Sequence, residues 1–272
     1  MHYSYDKCPT CGHYIGPPNV RAIETQEEIQ ALQARYEKAF VDAKSNGSYA
    51  ILNKFDEAMK DTCAVMNVDF DFLKHFLTKD NALYSTYSQL VSGQTRKPAS
   101  AKNDRHRLAV EAIILGAYGK EIRYAALSLN GTGVKSYGAY TMKLKEVAIA
   151  ERTTLLEENS YQFVAKHDMR PGDDIPRGYR ALWPDRHKLA VSKLYQKVTP
   201  QTSENEFAKI LLFSEGNRST DEFVEVYIYG TFDNKAVDSV SGKFTATKKE
   251  KRALLNSLKE IIVKSGAKLL EE

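Results

Sequence analysis

The residues with the clearest chemical promise lie on one short stretch, Glu222-Phe223-Val224-Glu225-Val226-Tyr227-Ile228-Tyr229-Gly230. Strand alternation puts Val224, Val226 and Ile228 on one face and Phe223, Glu225, Tyr227 and Tyr229 on the other. A carboxylate held among aromatic rings is partly stripped of water, which is unfavourable unless something uses its charge. The plain alternative is an edge strand with an exposed glutamate. A second cluster spans Glu121 to Ser160, with Arg123-Tyr124, Ser136-Tyr137 and Arg152-Thr153-Thr154. Its turn Asn130-Gly131-Thr132-Gly133 has the spacing of neither a P-loop nor a dinucleotide fingerprint, so it reads as a hairpin bend before it reads as a phosphate cradle.

Other groups carry weaker signals. Cys8-x-x-Cys11 with His13 is half a zinc site, to be completed by Cys63, His75 or His106. Zinc is a possible cofactor but not the favoured reading, and no metal ligand set is assigned, because a structural site wants four ligands. Arg96, Lys97, Lys102, Arg105, His106 and Arg107 form a basic stretch that suits the phosphates of a dinucleotide or nucleic acid, or a solvated loop. His167 and His187 read as surface residues and Trp183 as a packing anchor.

Taken in order, several blocks resemble a bacterial family grouped with the ADP-ribosyltransferase fold. They are Arg123-Tyr124-Ala125-Ala126-Leu127-Ser128-Leu129, then Ser136-Tyr137-Gly138-Ala139-Tyr140-Thr141-Met142-Lys143-Leu144, then Arg152-Thr153-Thr154-Leu155 with Asn159-Ser160, then Phe223 to Gly230. Upstream, Tyr87-Ser88-Gln89 and Asp104-Arg105 are similar to the same pattern, so the resemblance covers roughly residues 84 to 240. Two positions depart from it: the family's glutamine and histidine after the glutamate are Tyr227 and Tyr229 here.

The resemblance implies NAD as substrate and transfer of ADP-ribose to a macromolecular acceptor, whether protein, RNA or DNA. It implies Glu225 as the catalytic carboxylate. Arg123 is the preferred holder of the NAD phosphates and Arg105 the alternative. Tyr124, Tyr137 or Tyr227 would stack on nicotinamide. Thr153 or Thr154 would hold the glutamate, with Ser136-Tyr137 as the other candidate for the Ser-Thr-Ser element. By family analogy the protein is a toxin or defence effector with a neutralising partner, and the alternatives are NAD hydrolysis or a non-catalytic binding module on the same fold.

These side chains must be positioned by an α+β fold. A helical N-terminal region, residues 1–80, is expected before an ADP-ribosyltransferase-like domain, residues 81–272, with a split mixed sheet and a closing helix. Thr25-Gln26-Glu27-Glu28 has a capping-box pattern before an apolar stripe at Ile29, Leu32, Tyr36, Ala39 and Phe40. A second helix is expected from Tyr49 to about Met66, others over Phe70–Leu77 and from Arg105 to about Gly116. Strands are expected over Glu121–Asn130, Tyr140–Lys145, Phe207–Phe213 and Glu222–Tyr229. Thr247-Lys248-Lys249-Glu250 opens the last helix, whose stripe runs towards Leu269.

With 272 residues, 42% hydrophobic and 27% charged, the chain can build a core without staples. A net charge of +4 accommodates a polyanionic ligand but falls short of a nucleic-acid-coating protein. Three cysteines point to a reducing compartment, and the polar start and lack of a long apolar run point to a cytoplasmic protein without membrane contact.

Overall fold

The structure, a computed structural model, describes residues 10, 16–85, 101–218 and 220–271, with the backbone alone for residues 101–106. Among the described residues, eight strands form one mixed sheet: β1 (Cys63–Val68), β2 (Ile122–Ser128), β3 (Tyr140–Leu144), β4 (Thr153–Leu156), β5 (Arg180–Leu182), β6 (Glu225–Tyr229), β7 (Val237–Gly242) and β8 (Lys268–Glu271). Their order is β5-β4-β6-β2-β1-β3-β7-β8. All neighbours are antiparallel except β7 and β8. The fold is α+β, as expected.

The middle of the sheet is buried on both faces. Its larger core takes Val226 and Ile228 of β6 and Val224 just before it, with Ala125 and Leu127 of β2. Helices α1 (Gln26–Ser45), α2 (Tyr49–Lys60) and α3 (Phe70–Thr78) pack there through Leu32, Phe55 and Leu73. On the other face α4 (Ala101–Leu115) and α5 (Ser160–Lys166) bring Val110, Ile114 and Phe163 against Ile122, Leu156 and Tyr227. Helices α6 (Arg186–Leu194) and α7 (Lys249–Lys264) return to the first face through Leu189 and Leu258.

Several expectations need correction. The helix from Tyr49 stops at Lys60, and Cys63–Met66 enter β1. Alternate residues of β1 pack on opposite cores, so its apolar run imitates a helix. β1 therefore lies in the middle of the sheet, and residues 1–80 are not a purely helical region. Phe207–Leu211 is a helix rather than a strand, because Ser203 and Glu206 cap the turn before it reciprocally. The closing helix ends at Lys264, and Gly266 at φ +82 turns the chain so that Leu269 lies in β8. Neither capping-box pattern is reciprocal. Thr25 accepts from Glu28 N, but the Glu28 carboxylate accepts from Gly178 N at 2.7 Å and from Arg180. Lys248 caps the last helix without a side-chain bond.

One close approach fixes the loop that carries Ser136 and Tyr137. A Cβ on Gly138 would lie 2.3 Å from the backbone of Val68, and Asn67 Nδ2 donates to Gly138 O at 3.1 Å. Only glycine lets this loop lie against the end of β1.

Candidate active site

Glu225 begins β6, between Ala126 of β2 and Leu156 of β4. The residue is 6% exposed. Its Oε2 accepts from the backbone N–H of Ser160 and from the Tyr227 hydroxyl, each at 2.9 Å. Ser160 opens α5, and Asn159 caps that helix by accepting from Tyr161 N at 3.0 Å. Burial pushes the Glu225 carboxyl up to about 7, while the donors from Tyr227 and Ser160 and the charge of Arg107 pull the other way.

Tyrosines lie near this carboxylate. Tyr124 meets Tyr227 edge-on, with centroids 5.6 Å apart. The Tyr124 hydroxyl is buried and makes no hydrogen bond of normal geometry, and burial with the charges of Glu111 and Glu225 raises it well above the usual phenol range. Arg107 of α4 donates from Nε to Glu111 Oε1 at 2.7 Å, and its guanidinium lies 5.7 Å from the Tyr124 ring centre. Tyr137 is 43% exposed. Its hydroxyl accepts from Asn159 Nδ2 at 3.3 Å, and the Arg218 guanidinium sits 4.7 Å from its ring centre. Burial and the Glu225 charge push Tyr137 up to about 12. Ser136 donates to the buried Asp221 carboxylate, whose residue also accepts at its backbone oxygen from Gln162 Nε2 at 3.2 Å. A deprotonated Glu225 could stabilise positive charge developing on a bound sugar, with the phenols and arginines ready for rings and phosphates.

Of the residues singled out in the sequence, Glu225, Tyr124, Tyr137 and, through Asp221, Ser136 come together. Arg123 does not. It faces the opposite side of the sheet, level with Ile228, and donates to Glu121 O at 2.8 Å. Thr153 donates to Ile149 O at 2.7 Å, and Thr154 accepts from Asn19 Nδ2 at 3.4 Å. Neither threonine touches Glu225, which Ser160 and Tyr227 hold instead. Tyr227 is buried with its hydroxyl on Glu225, so its ring offers no platform to a base. Arg105 lies in the first turns of α4, its side chain outside the described residues.

Cys8, Cys11 and His13 also lie outside the described residues, as do the side chains of Lys102 and His106 and all of Arg96 and Lys97. Among the described residues no three His, Cys, Asp or Glu side chains group as metal ligands. Cys63 is partly buried, with its thiol against Ser128 O at 3.3 Å, and burial raises it. His167 lies tilted against Phe163, His187 meets Tyr36 edge-on, and Trp183 is buried with its indole N–H on Glu146 at 2.7 Å.

Glu111, Asn159, Ser160, Arg218 and Asp221 escaped assignment to the site. Asn159-Ser160 carried a readable sign, an Asn followed by a helix. Arg107 was visible only as one of a basic run, and Arg218 and Asp221 lie on a loop where no periodicity places a side chain. No helix among the described residues is long and apolar enough to cross a membrane. No protein-family model matches the chain, and a search of curated proteins returns no significant match.

Proposed function

We propose that the protein is an ADP-ribosyltransferase that cleaves NAD at Glu225 and passes ADP-ribose to a macromolecular acceptor. The observation that carries this reading is the buried Glu225 carboxylate, fixed by Ser160 and Tyr227, with Tyr124 packed on Tyr227 and the Glu225 charge felt at Tyr137. Breaking the nicotinamide–ribose bond leaves an oxocarbenium-like ribose. An ionised Glu225 that accepts from the 2′-hydroxyl stabilises that charge more in the transition state than in the ground state. Ser160 and Tyr227 keep the carboxylate in place, and Tyr137 is the exposed ring on which nicotinamide can stack.

In this reading Arg107 and Arg218 take the phosphate-holding role first given to Arg123 or Arg105. Arg107 is close enough for its charge to act on Glu225, and Arg218 lies over Tyr137. The split sheet of the transferase type belongs to the same proposal. β1 and β2 pair only over Cys63↔Ser128, Ala64↔Leu127 and Val65↔Ala126, and beyond that β1 continues with β3 while β2 continues with β6. Glu225 lies level with Ala126, where the two halves part.

The test uses purified protein, cell lysate and NAD labelled in the adenylate. Label on protein or nucleic acid, lost in Glu225→Gln, supports transfer, and nuclease or protease digestion names the acceptor class. Free ADP-ribose without labelled macromolecule would make the enzyme a hydrolase using the same carboxylate. Failure of the folded protein to consume NAD would overturn the reading.

A further inference from the structure

Gln162 and Lys166 of α5 also wall a separate cavity of about 590 Å³, which Glu225 does not line. It is large enough for a small metabolite. Three carboxylates in its wall are already matched: Glu157 by Arg35 at 2.7 Å, Glu158 by Lys166 at 2.7 Å, and Glu222 by Lys197. Lys38, also in the wall, pairs with Asp42 at 2.5 Å.

Lys193 is different. Its ammonium donates to a neutral acceptor, Phe223 O at 2.9 Å, and no carboxylate lies within ion-pair distance among the described residues. Burial lowers it to about 8. Beside it in the same wall, Ser192 is 6% exposed and its hydroxyl has no hydrogen-bond partner. The ammonium is part-buried and, although Glu158, Glu157 and Glu222 act on it through space, it pairs with none of them, and the neighbouring Ser192 hydroxyl is buried without a partner; an oxyanion in the cavity gives the ammonium a counter-ion. A bare carboxylate or chloride would leave most of the volume empty.

We propose that this cavity is a binding site for a small phosphate monoester, with Lys193 as the group that takes the phosphate and Ser192 beside it. The site stands independently of NAD cleavage at Glu225. It nevertheless touches the same strand, because Lys193 holds the carbonyl of Phe223, two residues before Glu225, and the Phe223 ring meets Tyr137 edge-on at 6.4 Å. An occupied cavity would thereby bear on the position of the Tyr137 ring.

Calorimetric titration of the full chain with AMP, inorganic phosphate and adenosine tests the site. Saturable binding of AMP and phosphate but not adenosine is expected. Lys193→Gln should weaken it about 10-fold or more, as removal of a charge-assisted bond does, while Glu225→Gln should leave it unchanged. Because the lysine variant can misfold, a second readout uses the native chain: AMP should protect Lys193 from an amine-acylating reagent, followed by mass spectrometry. Absence of saturable binding, binding indifferent to Lys193→Gln in a folded variant, or acylation of Lys193 unaffected by AMP would each overturn the proposal. None of these readouts requires NAD turnover, so failure here leaves the Glu225 reading intact.

Discussion

Burial raises the Glu225 carboxyl from the usual 4.5 to about 7, which gives its contribution to stability a definite sign. The folded protein holds this proton more tightly than the unfolded chain does. Stability therefore falls as pH rises from about 4.5 to about 7, and the whole penalty, about 3 kcal/mol, is present above that range. Glutamine keeps an oxygen for Ser160 and Tyr227 but never ionises. Glu225→Gln is accordingly expected to be more stable than the native protein at pH 8, with the gain shrinking towards pH 5. Urea unfolding at the two pH values checks this, and an equal difference at both would be inconsistent with a carboxyl so buried. At this scale the sequence was partly legible. Alternation placed Glu225 among Phe223, Tyr227 and Tyr229 on the face away from Val224, Val226 and Ile228. The same rule argued against part of the expected site, since neighbours on a strand point to opposite faces. Arg123 and Tyr124 cannot both reach one site, and nor can Thr153 and Thr154. Which of each pair shares the face of Glu225 depends on strand register, which spacing alone does not reveal.

At the scale of elements, the short helix α5 presents its first N–H to the carboxylate. Asn159 both caps that helix and donates to the Tyr137 hydroxyl, so it ties the ring to the strand. Asn159→Ala is expected to lower stability by about 1 kcal/mol through the lost cap. It should also lower NAD turnover by more than the fraction unfolded explains, because Ser160 N and Tyr137 both shift. Thermal unfolding and turnover measured on the same preparation separate the two effects, and turnover that merely followed the folded fraction would deny Asn159 its positioning role. Long amphipathic helices such as α1 and α7 were readable from their stripes. Short buried strands were not: β1 is apolar on both faces, and β4 and β5 are too brief to show a period.

For the molecule as a whole, the position of β1 decides how the chain divides. It lies between β2 and β3, with four strands on one side and three on the other. Glu28 of α1 adds a second long-range tie, binding Gly178 N just before β5 and Arg180 at its start. Residues 81–272 expressed alone lose a central strand together with α1, α2 and α3, and are expected to show no cooperative unfolding transition by circular dichroism. A stable, cooperative fragment would restore the division near residue 80 that the helical reading of the N-terminal third implied. The helical reading missed β1 because local pattern cannot show that a strand near the N-terminus inserts between strands far along the chain.

The central claim, that Glu225 cleaves NAD, is tested most directly by nicotinamide release from NAD by the purified protein, beside Glu225→Gln of matched folding. Steady release by the native protein, reduced about 10²–10³-fold in the variant, is the expected result for loss of one electrostatic stabiliser. Equal release by both proteins would contradict the claim.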